Sequence, residues 1–291
     1  MATLNKQIWI NQLMKNYYPE GSFLNFVRDF TPYVEYDRIN LAESGFDPSV
    51  LINNSTYPIV TKERTDIPLS LELNLYQTEN TLVRKPETVE LAYDKTESVI
   101  YGHRMSLLAT TQNHAAHAYA PYENTTNTPV ITTTGDVDKK GFKQFSVEDI
   151  LSLKEEYDSL NYPTDSRYLV LDPKHLADLI RFDLKAFKDV TDFVNGKPKR
   201  TLGFNMLEYS RNPKYDATTK KKVAFDAIDN GNQTFSSFSF VSDEVMKADG
   251  SVEMHNNPST EHRANIIGFD KRFLALPIRN KGIGSIVSTK N

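Results

Sequence analysis

A chain of 291 residues with 39% hydrophobic and 25% charged content has room for one large or two modest domains around a real core. The absence of cysteine excludes disulfides, thiolate nucleophiles and Cys-ligated zinc or iron-sulfur sites, and no run approaches the ~18 to 20 apolar residues of a membrane span. A net charge of -4 and a pI near 5.9 argue against a dedicated nucleic-acid clamp, and the opening "MATLNKQIWINQ", with neither the basic head nor the apolar stretch of a signal peptide, predicts a cytoplasmic chain.

Residues 1 to about 57 carry a short amphipathic patch (Ile8, Trp9, Leu13, Met14) and an aromatic one (Phe23, Phe26, Phe30), then no clear period. This predicts an arm with one or two short helices and no core of its own. Between 66 and 93 the pattern changes to period two: Leu69, Leu71, Leu73 and Leu75 alternate with Ser70, Glu72 and Asn74, as in a strand with one apolar face. "QTEN" suits a turn, and Val89, Leu91 and Tyr93 alternate on the return, so the segment is predicted as a long two-stranded hairpin. A lone hairpin cannot cover its own apolar face in water. The cover comes either from the same chain or from a neighbouring copy.

Residues 95 to about 119 are predicted as one long helix with Ile100, Leu107, Leu108, Thr111 and Ala115 on a common face, ending before Pro121. A threonine-rich connection follows, with a strand at Val130 to Thr133. A second lobe opens at "SVEDILSLKEEYDSL", where Ser146 stands three residues before Asp149 in a capping-box-like start. "RYLVLD" is a strand, Asp172 an N-cap, Pro173 the first helical residue, and Leu176, Ile180, Leu184 and Phe187 the inward stripe of the next helix. "KRTLGFNMLEYS", "TFSSFSFVSDEVM" and "ANIIGFDKRFLALPIRNKGIGSIVS" supply further strands, the last pairing back onto earlier structure.

Chemistry-bearing constellations are few. A helix N-terminus after a strand attracts anions, but phosphate cradles need glycine for close backbone approach, and "LDPKHL" has none. His175, off the apolar stripe, is expected to be an exposed first-turn residue. His103 and His114 lie ~16 Å apart along a helix rising 1.5 Å per residue, so they share no ion, and the pair His114 and His117 lacks a third ligand. "DAIDNGNQTF" places Ile228 and Ser237 where a calcium loop needs oxygen ligands. No P-loop, nucleophile-elbow, zincin or dinucleotide fingerprint occurs. The clusters at Lys197 to Arg200 and Lys220 to Lys222 read as solvated edges, with nucleic-acid contact as the lesser alternative. No catalytic residue, cofactor or metal is predicted.

The order of elements resembles a tailed-phage major capsid protein of the HK97-like fold. The resemblance is carried by an arm, a long hairpin, a long helix, the run "SVEDILSLKEEYDSLNYPTDSRYLVLDPKHLADLI" and a final strand run "FDKRFLALPIRNKG". It implies an α+β chain with an N-terminal arm at 1–57, an extended hairpin or E-loop at 58–94, a peripheral domain with a long spine helix at 95–135 and 265–291, and an α/β axial domain at 136–264. It further implies self-assembly through hexamers and pentamers into an icosahedral shell around double-stranded DNA held without sequence specificity. Scaffolding, portal and decoration proteins would be further partners, with the virion as location and the host cytoplasm as site of assembly.

The residues expected at subunit contacts are Leu69, Leu71, Leu73, Leu75, Val89 and Leu91 of the hairpin, with Trp9, Phe23 and Phe26 of the arm. Ordering such segments alone costs about 1 to 2 kcal/mol per fixed residue, so they are expected to settle on another subunit. The chain departs from the family in beginning almost directly at the arm, which suggests separate scaffolding or a processed form. Lys85 has no convincing acceptor for a cross-link. Two other readings stand beside the phage shell: an encapsulin-type nanocompartment of the same fold, and a soluble α/β enzyme using the 167–180 junction.

Overall fold

A computed structural model describes residues 21–43, 67–84, 95–186 and 200–290, with isolated positions at 10, 13, 18–19, 55, 57–59, 61, 191–192 and 197–198. In chain order the strands are β1 (Arg28–Asp29), β2 (Val34–Glu35), β3 (Arg38–Glu43), β4 (Ile67–Glu72), β5 (Asn74–Gln77), β6 (Thr81–Arg84), β7 (Val130–Thr132), β8 (Arg167–Leu171), β9 (Thr191–Asp192), β10 (Lys197–Pro198), β11 (Asn205–Glu208), β12 (Tyr215–Asp216), β13 (Gln233–Thr234), β14 (Ser236–Val241), β15 (Val245–Ser259), β16 (Ala264–Pro277) and β17 (Ile283–Val287). Among the described residues the long helices are α1 (Lys95–Tyr119), α2 (Val147–Ser159) and α3 (Pro173–Ala186). The fold class is α+β.

Helix α1 runs for 25 residues without proline and spans about 37 Å at 1.5 Å per residue. Its predicted face of Ile100, Leu107, Leu108, Thr111 and Ala115 is buried throughout. That face lies on a sheet of order β1-β15-β16-β5, with β6 also on β16. Phe269, Phe273, Met254 and Ile267 of the β15–β16 ladder form the apolar floor beneath the helix.

The second sheet has the order β11-β8-β14-β17-β7. On one side α2 and α3 bring Ile150, Leu153, Leu176 and Leu179 against Leu169, Leu171 and Ile286. On the other side Val170, Phe238 and Phe240 meet the arm's Phe23 and Tyr119 of α1. Strand β14 is therefore buried on both faces although it reads serine, phenylalanine in alternation. The serines are tolerated because each finds a partner: Ser239 Oγ lies 2.7 Å from Tyr157 Oη, and Ser237 Oγ accepts the Asp172 N–H at 3.0 Å. The helix starts are capped as expected, with the Ser146 N–H donating to Asp149 Oδ2 and the Lys174 N–H to Asp172 Oδ1.

Four expectations need correction. The arm was expected to settle on another subunit, yet over residues 21–43 it packs on its own chain: Phe23, Leu24, Val27 and Phe30 are buried, and β1 pairs in parallel with β15. The 66–93 hairpin does not close on itself at "QTEN". Strand β4 pairs antiparallel with β3, while β5 and β6 run one after the other along β16. Residues 78–80 are thus an interruption in one continuing strand, not a turn: the Thr78 N–H donates to Phe269 O, and the Phe269 N–H returns to Thr78 Oγ1, both at 2.9 Å. Gly268 sits opposite, where an added Cβ would stand 2.5 Å from Asn80 Oδ1 and would push that side chain aside. A division at 264/265 would separate β15 from β16, which pair from Val245↔Pro277 to Ser259↔Ala264, and β17 joins the second sheet instead. Finally, His175 is fully buried.

Candidate assembly surface

The leucine ribbon is split by one residue. Leu73 belongs to neither β4 nor β5; its N–H donates to Asp37 O and its carbonyl accepts from Arg272 Nη1. The alternation continues across it, with Leu73 and Leu75 on one face of the sheet and Tyr76 on the other, but the cover over that face changes. Upstream, Leu71 and Leu73 face a small core with Phe30, Ile39, Met246, Ala248 and Leu274. Downstream, Tyr76 takes the inward position under α1, its hydroxyl 3.1 Å from His114 Nδ1, and Leu75 turns outward.

The predicted contact residues therefore differ in where they lie. Leu73 and Phe23, each 2% exposed, are consumed by the chain's own cores, with Leu71 partly buried beside the former. Phe26 is half-buried and stacks on Tyr168 at 4.9 Å. Leu75 is 45% exposed, and Leu82, which was not singled out from sequence, is 42% exposed. Leu69 pairs across to Leu41 in the β3–β4 ladder. Trp9, Val89 and Leu91 lie outside the described residues.

Leu75 stands opposite Arg272 and Leu82 opposite Ile266, positions of equal parity on β16, so both leucines project from the sheet face turned away from α1. The β2-β3-β4 sheet covers that face near Leu274; toward Ile266 no described element covers it, and Gln77, Asp270 and His255 stand around the leucines. Across the layer, the solvent side of α1 exposes Tyr101 and Met105 one turn apart. Leu82 was legible only as the residue before Val83 in "TLVR", a run too short to show alternation.

At the βα junction of 167–180 the histidine belongs to the core. His175 lies among β14, the C-terminal segment and Phe145: Nδ1 is 2.7 Å from Ser237 Oγ and Nε2 2.8 Å from Ser288 Oγ, and Phe145 stacks on the ring at 4.8 Å. Burial, with the nearby Lys174 and Lys214 ammonium groups, pushes its pKa down to about 3. The folded state thus holds a neutral imidazole that the unfolded chain protonates below about pH 6.5. Its contribution is fully present above that pH and is lost as pH falls toward 3, by up to about 1.4 kcal/mol per pH unit. Urea midpoints measured at pH 7.5, 6.0 and 4.5 are expected to fall more steeply for the natural chain than for His175→Gln; parallel decline would place the acid sensitivity elsewhere.

Of the other histidines, His114 and His117 both pack on the Phe225 ring, at 3.9 and 5.7 Å. His117 Nε2 is 2.9 Å from Val223 O, and His103 packs its ring on Phe269. Among the described residues no group of three or more His, Cys, Asp or Glu could hold a metal ion, and no helix is long and apolar enough to cross a membrane. Of the Lys220 to Lys222 cluster, read as a solvated edge, Lys222 departs: its Nζ donates to His117 O at 2.7 Å and Ala120 O at 2.5 Å, satisfying the last carbonyls of α1, and burial pushes its pKa down to about 8.

No model of a known protein family matches the chain, and no curated protein does. Among solved structures it is similar to the capsid of cyanophage P-SCSP1u, with 13% identity, a TM-score of 0.66, and 93% of this chain covered against 89% of the other. It is similar to the mature capsid of bacteriophage PhiM1 at 11% identity and TM-score 0.64, over 93% and 88% of the two chains. A virus-like particle from Pyrococcus furiosus aligns over 98% of both chains, with 11% identity and a TM-score of 0.56. The chain has the HK97-like capsid fold.

Proposed function

We propose that this chain is the major shell protein of a tailed-phage-type head, assembling through hexamers and pentamers into an icosahedral particle that encloses double-stranded DNA. The observation that carries the reading is the likeness to phage capsids along more than nine-tenths of the chain. The sheet face with Leu75 and Leu82 supports it, because an exposed apolar pair on a rigid strand suits a heterologous contact repeated around a ring. In this reading α1 and the first sheet form the peripheral layer, and the second sheet with α2 and α3 the axial one. Leu69, Leu75, Leu82, Val89, Leu91 and Trp9 reach neighbouring copies, while Leu73, Phe23 and most of Phe26 stabilise the subunit. Scaffolding, portal and decoration proteins are the further partners, and the product is a virion component assembled in the host cytoplasm.

The likeness to a virus-like particle favours a second reading, an encapsulin-type nanocompartment with protein cargo. Particles recovered from the natural source and treated with nuclease separate the two. A DNA-filled head keeps a 260 nm excess and releases protected DNA on disruption; a 280 nm-dominated spectrum with a stoichiometric co-purifying protein contradicts the head.

A further inference from the structure

A cavity of about 760 Å³ opens beside the start of α3, between the 138–144 loop, the first turns of the helix and Phe235. Its chemistry is cationic. Lys139, Lys140, Lys174, Arg181 and Lys214 line it, against Asp138 and Asp172. Both acids are already committed: Asp138 Oδ1 accepts the N–H groups of Lys140 and Phe142 at 2.8 Å, and Asp172 Oδ1 caps α3. The nearby Asp178 is held by Arg181 at 2.8 Å. The cations are not matched to the same extent. Among the described residues Lys139 and Lys140 have no ion-pair partner, and Lys214 Nζ reaches Asp172 only at 3.8 Å while lying 4.2 Å over the Phe235 ring. The Lys174 ammonium, between the Phe142 and Phe235 rings, is the matched member, paired with Asp138 Oδ2 at 3.1 Å and Asp178 Oδ2 at 3.5 Å, so the excess lies with Lys139, Lys140 and Lys214.

The helix end is not what makes this a site, because Pro173 has no N–H and the Lys174 N–H is occupied. Side-chain ammonium groups gathered in a concave wall are. On a chain of net charge -4, such a local excess marks a place where an anion is wanted. We infer that this cavity is a phosphate-binding subsite that takes the backbone of nucleic acid, without reading sequence. The inference rests on the DNA-enclosing reading above and adds to it the surface turned toward the genome. Lysines suit that task, since each is a compact charge on a flexible stem that neutralises a phosphate in many orientations.

The test uses the full chain, below its assembly concentration, with a fluorescein-labelled duplex of arbitrary sequence read by anisotropy over a salt series. The natural chain should bind, with affinity falling as salt rises. Lys139→Gln/Lys140→Gln/Lys214→Gln should weaken binding at least tenfold at about 50 mM salt and reduce the log-log salt slope by about 2 to 3. Arg38→Gln/Lys154→Gln/Lys281→Gln, an equal loss of charge elsewhere, should leave both nearly unchanged. Equal loss in the two triple variants, or no duplex binding at all, overturns the subsite. So does preferential binding of poly-glutamate, which would make it a seat for an acidic peptide, or thermal stabilisation by inorganic phosphate with no duplex binding, which would make it a small-anion site. Micrographs of the same preparations keep the two ideas apart: a variant that forms shells but binds no duplex fails only in its DNA contact.

Discussion

Replacing Leu75 and Leu82 together by aspartate is expected to abolish particle formation while leaving the subunit folded. Both side chains are more than two-fifths exposed, so the isolated chain loses little by the change, within about 0.5 kcal/mol for each surface substitution. In a subunit contact the same two carboxylates would be buried without partners, a cost of several kcal/mol that recurs at every copy around a ring. Circular dichroism melts overlapping those of the natural chain, together with loss of the large species in light scattering, is the expected pair of results. Normal particles from the double variant would move the contact elsewhere on the subunit.

Leu73→Ala should do the opposite. Its side chain is 2% exposed in the core of Phe30, Ile39, Met246, Ala248 and Leu274, where a truncated leucine costs about 2 to 5 kcal/mol. The loss should appear in the unassembled subunit as a lowered urea midpoint, with any assembly defect following from it. A subunit as stable as the natural chain would mean that Leu73 is held by another copy. Two leucines a single residue apart in pattern, 73 and 75, are thus expected to separate subunit stability from subunit association.

That separation explains where the sequence was readable. Helix α1 was legible to its ends because Ile100, Leu107, Leu108, Thr111 and Ala115 stand at helical spacing and no proline intervenes before Pro121. The junction of β8 and α3 was equally plain, since cap, proline and apolar stripe are local signals. The leucine ribbon misled because its alternation is real while its cover is not uniform: the β2-β3-β4 sheet buries Leu73, whereas Leu75, the next residue on the same face, is left exposed, and no local pattern records where the cover ends. Strand order was equally hidden. The partner of β4 is β3, reached across the segment between Glu43 and Ile67, and not the return strand that alternation suggested.

His175 was misplaced for a related reason. Its two hydroxyl partners, Ser237 and Ser288, are 62 and 113 residues away, and serines in a strand announce neither burial nor a histidine. Lys222 was hidden among three lysines, of which it alone reaches the carbonyl end of α1. The excess of cations around Phe235 could not be seen either, because it gathers Lys139, Lys140 and Lys214 from two separate segments.

Electron microscopy of the purified full chain, across a range of protein concentration and salt, tests the shell reading most directly. Closed rings of five and six subunits, or complete shells, are the expected images, increasing with concentration. A uniform monomer under every condition, with Leu75 and Leu82 still facing water, would contradict it.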